Sequence, residues 1–140
     1  MECKVSWLGA GGMAFSAETG SGHLINMDGA PEAGGKNLAP RPMELLLAGA
    51  GGCSAFDVVL ILQRSRQSVS ACDVALQAER ATEDPKVFTK INLHFMVKGK
   101  DLDRAKVERA VKLSHEKYCS ATTMLAKTAE LTYSIEVISE

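Results

Sequence analysis

Of the four cysteines in this sequence, two sit where a thiol could be reactive. Cys53 follows Gly49-Ala50-Gly51-Gly52 within a stretch that otherwise reads as helix. Each glycine costs a helix interior about 1 kcal/mol relative to alanine, so something must require them. One reading is that the helix breaks and restarts near Gly52. Cys53 would then lie at a helix N-terminus, where free N–H groups and the dipole favour a thiolate. The other is that the glycines admit a closely packed neighbour and Cys53 is merely small. Cys119 ends a second helical stretch and precedes Ser120-Ala121-Thr122-Thr123, which suits a turn or a new helix start. A sulfenic acid on Cys53 could condense with a neighbouring Cys119 to a disulfide, although spacing alone leaves their distance open. Cys3 and Cys72 fall on the apolar registers of strands and read as small buried hydrophobes.

Two carboxylates lie near Cys53 in sequence. Glu44 stands in the first helical turn, where it offsets the macrodipole. Nine residues along a straight helix correspond to about 180° and about 13 Å. Glu44 and Cys53 therefore share a site only if the helix breaks at the glycines, or if Glu44 serves the cysteine of a second subunit. Asp57, one turn after Cys53 and on its face, suits a local hydrogen bond better than a role as base. There is no Cys-x-x-Cys, His-x-x-x-His or His-Glu-x-x-His pair, and His23, His94 and His115 lie far apart. No metal or other cofactor is expected.

The elements that would position these residues follow from periodicity. Cys3, Val5 and Trp7 alternate with polar neighbours, Met13, Phe15 and Ala17 alternate again, and a third short strand spans His23 to Met27. Residues 30–40 read as a mobile loop. A helix starts at Pro42 and is apolar nearly all round to Leu62, which marks a central, buried helix. It approaches the length of a membrane span, but Gly49, Gly51, Gly52, Glu44 and Asp57 within it favour a soluble core. Cys72 to Glu79 and Val87 to Val97 form a hairpin with one wet face. A second helix from about Asp101 to Tyr118 gathers Val107, Ala110, Val111, Ser114 and Tyr118 on one arc, and Leu131 to Val137 close as a strand. The order predicts a single α+β domain over 1–140, its helices packed on largely antiparallel strands.

Composition narrows the partners. Sixteen basic residues face seventeen acidic ones without clustering, so neither nucleic acid nor an anionic membrane is an expected partner. The first thirty residues hold neither a signal peptide nor a span, which predicts a cytoplasmic protein with its cysteines resting as thiols.

Pro42-Met43-Glu44-Leu45-Leu46-Leu47, Ala50-Gly51-Gly52-Cys53-Ser54 and Glu116-Lys117-Tyr118-Cys119-Ser120 together resemble the OsmC/Ohr family of thiol-dependent peroxidases, in particular its small OsmC-like branch. The resemblance covers essentially the whole chain. It implies an intertwined homodimer in which antiparallel sheets wrap around two central helices, with sites formed by both subunits. It further implies that Cys53 attacks an organic hydroperoxide, that Cys119 resolves the sulfenic acid, that Glu44 orients the site, and that a dithiol reductant restores the thiols. One departure stands out: family members carry an arginine in or just after the N-terminal strands, and here strands one to three contain none. Arg41 could substitute, or could serve with Pro40 and Pro42 as a rigid entry to the helix. The alternative to a peroxidase of oxidative stress defence is a non-enzymatic relative that binds a small apolar ligand or senses oxidants.

Overall fold

Alternating side chains in the first thirty residues produce three short antiparallel strands, β1 (Cys3–Trp7), β2 (Phe15–Thr19) and β3 (Leu24–Met27), in the order β1-β2-β3. Val5 pairs with Ala17 and Trp7 with Phe15 across the first hairpin. Its turn needs Gly9 at a φ of 84°, a conformation costly for a side chain, and the Trp7 indole N–H donates to the Gly12 carbonyl at 3.0 Å. The computed structural model describes residues 1–140, which divide into two compact units, Met1–Leu47 and Ala48–Glu140.

Within the first unit only Ala17 and Asp28 are buried, and Val5, Trp7, Leu8, Leu24 and Leu38 are exposed. Cys3, expected to be buried, is exposed, because the whole of β1 lies uncovered. The segment expected to be a mobile loop contains a short 3₁₀ turn, Pro31–Ala33, and is pinned from inside. The Asp28 carboxylate accepts backbone N–H groups from Gly29 at 2.8 Å, Lys36 at 3.0 Å and Leu38 at 3.1 Å. The donation from Leu38 is the largest influence on this group; with Lys36 and Gly29 it outweighs burial and holds the carboxyl below its ordinary value.

Helix α1 (Pro42–Arg64) runs without interruption, so of the two readings of the glycines the break does not occur and Cys53 is not at a helix N-terminus. Close packing explains one of the glycines: a Cβ on Gly51 would come within 2.7 Å of Leu76 Cδ1, whereas Gly49 and Gly52 face open space.

In the second unit β4 (Ser68–Arg80) and β5 (Phe88–Lys100) form the expected antiparallel hairpin, which extends further at its open end, to Ser68 and Lys100, than periodicity indicated. Strand β6 (Glu130–Ser139) pairs with β5 in parallel, so this sheet is mixed. A parallel return needs a crossover, supplied here by α2 (Arg104–Leu113), a wider π-type turn (Ser114–Tyr118) and α3 (Ser120–Leu125). The single helix expected from 101 to 118 is therefore two distinct segments. Asp103 caps α2, its side chain accepting the Ala105 N–H at 2.9 Å. Ile91, Leu93, Phe95 and Val97 from β5, Val107, Ala110 and Val111 from α2, and Val58 and Leu62 from α1 make the core, all at most 2% exposed. Cys72 is half-buried; burial, then the charge of Asp73, pushes its thiol up to about 11.

Candidate functional site

Spacing of four on α1 puts Cys53 and Asp57 on one face of the helix. The π-type turn widens the chain at Ser114–Tyr118 and delivers Cys119 at its end, where the Cys119 N–H donates to the Ser114 carbonyl at 2.9 Å. The two sulfurs and a carboxylate oxygen of Asp57 all lie within 4.8 Å of one another. Cys119 is fully buried, while Cys53 and Asp57 are half-buried.

Hydrogen-bond donors surround this group. The Ser54 hydroxyl donates to Cys119 Sγ at 3.3 Å and the Thr122 backbone N–H at 3.4 Å. The Ser114 hydroxyl donates to Asp57 Oδ2 at 3.0 Å, with the Ser54 carbonyl 3.4 Å away as a weaker partner.

The environment treats the two thiols differently. Burial raises Cys53, and the neighbouring Cys119 and Asp57 charges add to it, with the Ala121 N–H opposing. Burial also acts upward on Cys119, but Ser54, Thr122 and the Cys53 thiol outweigh it, so Cys119 is held below its ordinary value. Of the pair, Cys119 ionises first and Cys53 retains its proton.

The structure thus brings together Cys53, Cys119 and Asp57, and separately pairs Arg41 with Glu44. Arg41 Nη1 lies 3.5 Å from Glu44 Oε1, and the Arg41 backbone N–H donates to Glu44 Oε2 at 2.9 Å. Both side chains are more than a third exposed, so the ion pair contributes at most about 1 kcal/mol and matters more for orientation than for stability. Sequence reasoning missed Ser54, Ser114 and Thr122 as site residues. Ser114 carried a usable signal: a hydroxyl on the apolar arc of the helix expected from 101 to 118 must find a buried partner.

Residues 34–134 match the family model described as OsmC-like protein. The chain is 52% identical over 139 residues to Protein YhfA of Escherichia coli K12, a match covering 99% of each chain. Among solved structures it is similar to a hypothetical protein from Aquifex aeolicus VF5, with 32% identity, a TM-score of 0.85 and coverage of 99% of this chain and 96% of that one. It also shares its fold with the organic hydroperoxide resistance protein OhrB of Bacillus subtilis, at 20% identity and a TM-score of 0.62, covering 97% of this chain and 98% of that one.

Proposed function

Because the chain belongs to the OsmC-like protein family, we propose that it is a cytoplasmic, homodimeric thiol peroxidase that reduces organic hydroperoxides in oxidative stress defence. The observation that carries this reading is the close approach of two cysteine sulfurs of unequal exposure and opposite thiol perturbation. Cys53, the more accessible, meets the hydroperoxide. The Cys53 thiol gives up its proton as its sulfur attacks the distal oxygen, the O–O bond breaks, and the alkoxide takes that proton and leaves as alcohol, with Cys53 oxidised to the sulfenic acid. The Cys119 thiolate then attacks the Cys53 sulfur and expels hydroxide, which leaves as water, and an external dithiol reduces the resulting disulfide with two electrons and two protons.

A second copy of the chain completes the site and the single domain of this reading. In the most apolar window of α1 only 28% of the residues are buried, although its mean hydropathy is 2.1. The exposed apolar residues of the first unit likewise call for cover. With α1 unbroken, Glu44 serves the cysteine of the partner subunit, and Arg41 takes the role of the arginine that strands β1 to β3 lack. A second reading, a slow oxidant sensor or apolar-ligand binder, is favoured by one feature: burial and two neighbouring negative groups keep Cys53 protonated.

Stopped-flow mixing of the reduced protein with cumene hydroperoxide separates the two. The peroxidase reading expects stoichiometric thiol loss far faster than that of a free thiol, abolished in Cys53→Ser. In Cys119→Ser it expects an attack that stops at a trappable sulfenic acid. Thiol loss no faster than a free thiol would leave the sensor or binder.

A further inference from the structure

We propose that Cys53, Asp57 and Cys119 form a site for a thiophilic divalent cation, with zinc the best fit and a fourth coordination position open. No sequence motif announces it, because the three ligands come from α1 and from the far end of the crossover. The tertiary structure sets them within 4.8 Å of one another. Zn–S bonds of about 2.3 Å in a tetrahedron place two sulfurs about 3.8 Å apart, so closing on the ion requires side-chain movements of at most about 1 Å. Cys53 and Asp57, four apart on one helix, supply the rigid half of the set.

Two of the three ligand atoms already have orienting donors: Ser54 and Thr122 on the Cys119 sulfur, and Ser114 on the Asp57 carboxylate. Donors directed at acceptors are the outer shell a thiolate–carboxylate metal site needs, and a binding ion displaces the thiol protons. A counter-charge from the protein is lacking, since none of the six ion pairs includes Asp57. A divalent ion would supply that counter-charge directly. Two sulfurs and one oxygen select zinc or cobalt over magnesium or calcium, which prefer all-oxygen shells. Since a bound ion would occupy the sulfur lone pairs that attack peroxide, the loaded and peroxide-reactive states exclude each other. Binding itself does not rest on the peroxidase reading.

The test is an anaerobic titration of the reduced full-length protein with Co²⁺. It should give stoichiometric binding with an intense near-ultraviolet thiolate-to-cobalt band and visible d–d bands of tetrahedral strength, both abolished by added Zn²⁺. Cys119→Ser and Asp57→Asn should lose the d–d pattern, and Ser114→Ala should weaken binding about 10–100-fold. Cys3→Ser and Cys72→Ser should bind as the parent does. Circular dichroism verifies that each variant is folded, and the half-buried Cys53→Ser supplies a second sulfur deletion should Cys119→Ser fail to fold. Absence of the thiolate-to-cobalt band, or its survival in either Cys53→Ser or Cys119→Ser together with its loss in Cys3→Ser, would overturn the assignment. Cobalt binding with no fast peroxide reaction would sink the peroxidase alone.

Discussion

At the scale of single residues, the division of labour between the two thiols turns on who donates to whom. Cys119 is fully buried yet held ionisable, because the Ser54 hydroxyl and Thr122 supply donors that a buried sulfur would otherwise lack. A hydrogen bond to a charged group contributes roughly 1.5–3 kcal/mol, so losing one from the thiolate raises its pKa and reduces the ionised fraction at neutral pH. Ser54→Ala should therefore slow the conversion of the Cys53 sulfenic acid to disulfide by about tenfold or more at pH 7, while initial thiol consumption by peroxide changes little. Double-mixing stopped-flow separates the two steps. Equal rates of disulfide formation in the two proteins would show that Ser54 does not set the reactivity of Cys119.

At the scale of elements, residues 28–40 illustrate how one side chain can organise a segment with no periodicity. Three backbone N–H groups converge on Asp28, Leu38 foremost, and hold its carboxyl below 3.8. Because the folded value is depressed, the stabilisation is fully present above the unfolded value of about 3.8 and is lost as pH falls through the lower folded value. Asp28→Asn should lower the melting temperature at neutral pH, and the gap to the parent should narrow as the pH is taken below 3.8. Thermal melts at several pH values test this; a gap independent of pH would mean that the carboxylate charge is immaterial. The other informative element is the π-type turn at Ser114–Tyr118. A regular continuation of α2 would rotate Ser114 and Cys119 away from their present relation, and the wider turn allows one to hold Asp57 while the other reaches Ser54.

At the scale of the whole molecule, the apolar surface of one chain calls for a partner. Phe56 is 68% exposed on α1, on the same side as the open positions Gly49 and Gly52. In an isolated chain Phe56→Asp would be a surface change worth no more than about 0.5 kcal/mol. Between two packed copies it would bury an unpaired charge at a cost of several kcal/mol, weakening association by more than about a hundredfold. Light scattering on the variant at micromolar concentration should show a monomer where the parent is a dimer. A parent that is itself monomeric would remove the basis for a shared site.

Local periodicity and punctuation made much of this protein legible in sequence. Pro42 and Glu44 mark the start of α1, alternation from Cys72 to Val97 marks the hairpin, and the Gly-Gly-Cys and Tyr-Cys contexts mark the two thiols. These signals are short-range, and each side chain's preference survives in any fold that gives it a wet and a dry side. Sequence could not decide the continuity of α1 through three glycines, the exposure of Cys3 or the parallel pairing of β6, all of which depend on what lies across from them. The meeting of Cys53, Asp57 and Cys119 belongs to the same class. A separation of 66 positions along the chain places no constraint on the distance between the cysteines, and only the packing of α1 against the end of the crossover brings sulfur to sulfur.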